Sequence, residues 1–350
     1  MDTIEVIQEF KAKILDCDDS GASDYLILPG DSSPQLFLPN NQGTLTAFQA
    51  TDLPEIGPQG ATVMRNENHL GVLSRFQDGS LWALYSMDGQ LEYSGKLDDE
   101  VIKGCLCPDG TLVACTQRSL KAITASAEVR WQETRDPALY LHTKPVWHNG
   151  AVYFHEVSYP DFTTSALIRM DLDGQELNRY PLDINGQYSH QLLLCENRLY
   201  HAATLRRTNQ TVLFSFADDL TCTETSIAAA EGAYPSDMLV GSDNSLWLDL
   251  LTNSILRIDR DSAEALARLD YEELVLLRIV DGAGNLVVQK NENDIEVYDA
   301  MLNPIQQHAL SGRIRRSWLD ENGKACLLVY AGFDQEQPLD DCTVTVYRIG

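Results

Sequence analysis

Basic residues are scarce in this chain: 26 Lys and Arg stand against 52 Asp and Glu over 350 residues, a formal net charge of −26. Affinity for nucleic acid comes largely from cationic contacts to phosphate, and a field of this sign repels a polyanion. Docking on an anionic membrane surface is disfavoured for the same reason. Long apolar runs are missing too. The most apolar window, Leu246 to Ile258, is interrupted by Asp249, Asn253 and Arg257, so nothing approaches the roughly 18 uninterrupted apolar residues of a membrane span. Met1 to Asp16, MDTIEVIQEFKAKILD, has no basic start, no continuous apolar core and no small-residue cleavage site. A soluble, cytoplasmic protein is therefore expected.

Catalytic signatures are absent as well. There is no Gly-x-Ser-x-Gly elbow, no Gly-x4-Gly-Lys-Ser/Thr phosphate loop and no His-Glu-x-x-His. Gly30-Asp31-Ser32 follows an apolar run as in one esterase family, but no His has an Asp three places before it, so Pro29 to Ser33 reads as a turn. The seven His, at 69, 142, 148, 155, 190, 201 and 308, form no close ligand pair in the sequence. Asp171 to Glu176, Asp-Leu-Asp-Gly-Gln-Glu, lacks a third acidic position before its Gly and reads as a strand-to-strand turn rather than a calcium loop. Of the eight Cys, Cys105, Cys107, Cys115, Cys195 and Cys326 lie in apolar runs, where a reduced thiol behaves as a small core residue. Cys105 and Cys107, with Cys115 beyond the next turn, lack a fourth thiolate for a metal knuckle. No metal or cofactor is expected.

What the chain does contain is apolar surface and repetition. Hydrophobic residues make up 44%, with 14 Tyr, 9 Phe and 5 Trp, enough to fold despite the charge. Short β-rich runs separated by Gly, Asp and Asn recur from Tyr25 onward. In Ala61 to Leu97 four strand candidates are divided by Asn66-Glu67-Asn68, Asp78-Gly79 and Asp88-Gly89, residues that supply the positive φ of tight hairpins. The first turns of later units centre on Gly110, Gly150, Asn197, Asn244, Gly284 and Gly323, in steps of 40, 47, 47, 40 and 39. A period near 40 with four strands per repeat is the signature of a propeller blade. The chain therefore reads as all-β: a single β-propeller domain over 1–350, with about eight four-stranded antiparallel blades, seven being the alternative. The blades span roughly 24–57, 61–97, 101–132, 143–182, 189–227, 236–270, 273–310 and 312–350. In the first blade Tyr25 to Leu28, Gln35 to Leu38 and Thr44 to Gln49 resemble the first three strands of a unit, and the last unit offers only three strands, so the ring is expected to close by pairing opposite chain ends.

The segments TLTAFQ, GSLWALYSMDGQLEYSGKL and RSLKAITASAEVRWQ resemble the repeat of the quinoprotein-like (PQQ-like repeat) propellers, in which a Gly-x-Leu-x-Ala-Leu strand is followed by a turn and a Trp-ending strand. The resemblance covers about a quarter of the chain and implies an architecture, since that superfamily includes quinone-dependent dehydrogenases, protein-assembly scaffolds and proteins of no known activity. Its enzymes hold their cofactor near adjacent cysteines, and this sequence has no vicinal Cys pair.

At the N-terminus, Ile4, Ile7, Phe10 and Ile14 recur at helical spacing behind Asp2, which predicts a short amphipathic helix within residues 1–20. The alternative is that TIEVIQEF supplies the fourth strand of the last blade. Acidic pairs recur at Asp18-Asp19, Asp98-Asp99-Glu100, Asp218-Asp219, Glu272-Glu273 and Asp340-Asp341, mostly in expected loops. Aromatics near such loops include Tyr140, Trp147, Tyr159, Phe162, Tyr234 and Phe333. A carboxylate-lined face attracts a basic protein and makes binding salt-sensitive. The expected contact residues are Asp98, Asp99, Glu100, Tyr159, Asp161, Phe162, Asp218, Asp219, Phe333, Asp340 and Asp341. Arg206-Arg207 and Arg313-x-Arg315-Arg316, the compact basic clusters, read as offsets for neighbouring carboxylates. The leading expectation is a non-enzymatic protein-binding propeller with a basic partner, such as an immunity protein that masks a basic toxin. The alternatives are a lactonase-like hydrolase with a metal in the central channel and a protein-assembly scaffold.

Overall fold

Asp and Asn at the turns, with apolar residues alternating between them, set up hairpin after hairpin, and the hairpins stack as eight sheets around one axis. The computed structural model describes residues 4–14, 25–29, 33–50, 52–98, 101, 103–116, 119–126, 128–134, 139–141 (backbone only), 144–158, 162–184, 192–273, 275–291, 293–331 and 342–350.

Blade 2 runs outward through Ala61–Arg65, His69–Phe76, Gly79–Ser86 and Leu91–Leu97, and blade 3 through Lys103–Leu106, Leu112–Cys115, Ser119–Ile123 and Val129–Thr134. In blade 4 the innermost position is shared by Leu139–Leu141 and Val146–His148, which both pair with Ala151–Ser158; Ser165–Met170 and Glu176–Pro181 follow. Blade 5 comprises Leu193–Cys195, Arg198–Thr204, Thr211–Phe216 and Cys222–Ser226. Blade 6 comprises Pro235–Val240, Ser245–Leu250, Ser254–Asp259 and Ala265–Asp270, and blade 7 Leu276–Val280, Leu286–Gln289, Asp294–Tyr298 and Pro304–Ala309. Outermost strands show the same exposure rhythm in blades 3, 4, 6 and 7, two exposed residues and then alternation, because only one neighbour covers them.

Blade 8 consists of Arg313–Leu319, Ala325–Ala331 and Cys342–Ile349, and its outermost strand is Ile4–Ala12 from the other end of the chain. The helix suggested by Ile4, Ile7 and Phe10 is thus a strand, and the closing alternative is the one that forms. A bulge at Ile7, between the Val6↔Tyr347 and Gln8↔Val346 pairs, resets the alternation. Ile7 and Phe10, three residues apart, consequently share the face packed on blade 1, while Ile4 packs in the cluster between blades 7 and 8. A bulged strand has imitated helical spacing.

Blade 1 has three described strands, Leu26–Leu28, Gln35–Pro39 and Leu45–Ala47. They are the second, third and outermost positions rather than the first three that the sequence suggests. The Asn41 carbonyl accepts the Glu321 N–H of blade 8's first turn at 2.9 Å, and residues 46–50 repeat the outermost exposure rhythm.

The core is divided into inter-blade clusters, one between each neighbouring pair. Trp82, fully buried, packs across Gly71 of the adjacent strand, where a Cβ would lie 2.1 Å from the indole ring. His155 and His201, far apart in sequence and each 1% exposed, meet between blades 4 and 5 with ring centroids 5.1 Å apart. No disulfide joins the described cysteines; Cys105, Cys107, Cys115, Cys326 and Cys342 are buried, while Cys195 is half-buried with Arg260 Nη1 at 2.7 Å. The hydrogen bond with Cys105, reinforced by burial, pushes the Cys107 thiol well above the usual thiol range.

One buried carboxylate makes a pH prediction. Asp249 accepts hydrogen bonds from the Tyr271 hydroxyl at 2.6 Å and the Ser236 hydroxyl at 3.0 Å, and burial pushes its carboxyl up. A folded-state value above the unfolded one stabilises the protonated fold in acid, and that stabilisation is lost as pH rises through the raised value. Asp249→Asn keeps an acceptor for the Tyr271 hydroxyl and turns the second hydrogen bond round, its amide donating to the Ser236 Oγ, without the charge. Thermal melts should show the variant about 2–4 °C above the parent at pH 8, with the gap closing as pH falls toward the ordinary Asp range near ~4. A variant less stable at pH 8 would refute the assignment.

Candidate protein-binding face

Antiparallel strand order sorts the connections onto two faces. The first and third turns of each blade lie on one, here the lower face; the second turns and the blade-to-blade connections lie on the upper. The charge follows this division from strand to turn. Among the described residues, strands hold 17 of the 24 basic residues but only 13 of the 37 acidic ones, so the acidity resides in the connections.

On the lower face turn chemistry explains it. Asp281 Oδ1 accepts the N–H groups of Ala283 and Asn285, and the Asp320 carboxylate does the same for Asn322 and Lys324. Asp219, Asp259 and Asp299 cap their own turns likewise and sit below the ordinary carboxylate range. For Asp219 and Asp259 the main cause is a backbone N–H, from Thr221 and Ser262; for Asp299 it is the Asn303 side-chain amide. Aspartate is selected here because a short carboxylate satisfies turn amides, and repetition round the ring makes the face acidic.

Some carboxylates also join blades. Asp173 holds Arg130 of blade 3 at 2.7 Å, and Asp218 lies 2.9 Å from His148 Nε2 of blade 4 while accepting from Asn149 at 2.8 Å. Asp218 and Asp219, expected as partner contacts, are therefore on the lower face, with Asp218 partly committed to this junction. Asp98 is exposed on the upper face, after the last strand of blade 2. Phe162 is half-buried in the upper turn of blade 4, its carbonyl bound by Arg206. The structure does not bring these four together. Asp99, Glu100, Tyr159, Asp161, Phe333, Asp340 and Asp341 lie outside the described residues. The basic clusters serve the fold: Arg206 also binds the Ile184 carbonyl, Arg207 pairs with Asp183 at 3.0 Å, and Arg316 lies 5.0 Å from the Tyr25 ring centroid.

The lower face also carries exposed apolar side chains that sequence reasoning missed. Met301 in the third turn of blade 7 is 61% exposed, Leu319 at the end of blade 8's innermost strand 44%, and Met87 in the third turn of blade 2 42%. All three belong to the arc of blades 7, 8, 1 and 2. In that arc a cavity of about 420 Å³ opens between Pro39, Asn40 and Asn41 of blade 1, Arg65 of blade 2, and Trp318, Leu319, Asp320 and Glu321 of blade 8. Methionine within turns was the available signal for Met87 and Met301, since apolar residues there serve no hairpin. Among the described residues, no group of three or more His, Cys, Asp or Glu is placed to hold a metal ion.

No family model and no curated protein matches the chain. Solved structures do. BamB from Moraxella catarrhalis aligns over 99% of this chain and 100% of its own, with a TM-score of 0.62 at 10% identity. The C-terminal WD40 domain of Sif2 aligns over 99% and 98%, with a TM-score of 0.63 at 11% identity. The computationally designed Ika8 protein aligns over 98% of each chain, with 0.62 at 11%. The likeness is one of fold. It agrees with the architectural resemblance read from the repeats, and the eight sheets decide for eight blades over seven.

Proposed function

We propose that the chain is a non-enzymatic, cytoplasmic protein-binding propeller that docks a basic protein on its lower face, and that the partner is a toxin whose active surface the propeller covers. The observation that carries this is the lower face itself. It sets Met301, Met87 and, in the wall of a cavity, Leu319 among turn carboxylates, and stable interfaces combine apolar anchors with a polar rim in this way. The carboxylates would steer a cationic partner and the apolar side chains would hold it.

The test is capture from native cytoplasm on immobilised protein. A basic protein should be retained at about 0.05 M salt and released toward about 0.5 M as the charges are screened. The double variant Leu319→Asp, Met301→Asp should lose it by tenfold or more, whereas Asp98→Asn on the upper face should not. Retention unaffected by the double variant, or nothing retained at low salt, refutes the proposal.

A further inference from the structure

The cavity has a chemistry of its own. Its apolar wall is Pro39, Trp318 and Leu319. Trp318 is 6% exposed, and its indole N–H finds no acceptor among the described residues. Asp320 is occupied by its turn amides and by Arg348 at 3.2 Å. The Glu321 carboxylate and the Asn41 side-chain amide take part in no hydrogen bond among the described residues. Arg65, exposed at the end of its strand, stands on the blade 2 side.

We infer that this cavity receives an arginine side chain of the basic partner, an assignment that rests on the functional reading above. Two planar acceptors, the Glu321 carboxylate and the Asn41 amide oxygen, suit the flat fork of a guanidinium better than the point charge of an ammonium. The apolar wall covers the methylene stem. Arg65 opposes the incoming charge and restricts entry to a chain that also engages the surrounding carboxylates.

The probe is N-acetyl-hexa-arginine amide, titrated into the full chain at low salt by calorimetry, with hexa-lysine amide alongside. Hexa-arginine should bind at least fivefold more tightly than hexa-lysine. Glu321→Gln should weaken hexa-arginine at least fivefold, and Arg65→Gln should tighten it severalfold. Asp98→Asn, which removes a carboxylate from the opposite face, should change it less than twofold. Melting curves on each variant establish that it is folded. If Glu321→Gln and Arg65→Gln shift binding no more than Asp98→Asn, or if the two peptides bind equally, the cavity assignment is overturned while attraction of basic chains to the face stands. If neither peptide binds at low salt, both readings fall.

Discussion

Deleting residues 1–12 should cost this propeller most of its stability and open it to association with other chains. Ile4–Ala12 makes eight register pairs with Cys342–Ile349 and places Ile7, Phe10 and Ala12 against the cluster between blades 8 and 1. At ~0.5–1 kcal/mol for each ladder hydrogen bond, before the apolar contacts are counted, the loss is of the order of the whole stability of a domain. The strand Cys342–Ile349 would then become an open edge, a template for pairing with other chains. The expected result is a fall in Tm of ~10 °C or more with concentration-dependent association, both reversed by adding a synthetic peptide of residues 1–14. A truncated chain that associates no more than the parent and melts with it would show that the end-to-end pairing contributes little.

Asp320→Ala should be the most damaging single change at the same seam. Its side chain is 1% exposed, accepts the Asn322 and Lys324 N–H groups at 2.9 Å each, and pairs with Arg348 at 3.2 Å. Arg348 in turn binds the Gln42 carbonyl of blade 1 and lies 3.7 Å from Glu5 of the closing strand. One carboxylate therefore fixes a turn and, through Arg348, links three segments. Truncating it leaves a largely buried guanidinium without its nearest counter-charge, a loss of about 3 kcal/mol, or ~5 °C or more in Tm for a chain of this length. Asp320→Asn retains an acceptor for the turn amides and should lose about half as much. Glu321→Gln, one residue on and exposed, should leave Tm within about 1 °C of the parent. Equal losses for Asp320→Ala and Glu321→Gln would refute the account.

The blades were legible because each carries the same local instructions. Asp88-Gly89 and Asp109-Gly110 fix hairpins wherever they occur, and the intervening runs are too short for helices. Ile4 to Ile14 was misread because a bulge adds one residue to a period of two, and sequence alone does not reveal where a ladder slips. Blade 1 was read one strand out of phase for a related reason: its hairpins were visible, but only contact with Glu321 and Arg348 shows which face its Asn40–Thr44 turn occupies. That same phase limited the site. Asp98 and Asp218 look alike as loop acids, yet an odd or even number of strands separates them from the axis, and they fall on opposite faces. The lower-face arc was hidden for a further reason, since Met87, Leu319 and Met301 are more than 200 residues apart at the extremes and become neighbours in the ring only because blades 8 and 1 meet.

The seam also orders events in time. Ile4–Ala12 finds its partner only when Cys342–Ile349, more than 300 residues later in the chain, has emerged. Joining ends so distant costs ~5 kcal/mol of chain entropy, by the logarithmic dependence on loop length, and slows the final step relative to each local hairpin. Until then a growing chain with several blades formed carries an unclosed sheet at each end. Its turn aspartates, complete in every finished blade, would already repel other nascent chains during that interval, so the charge that selects a partner in the finished molecule would also protect the unfinished one.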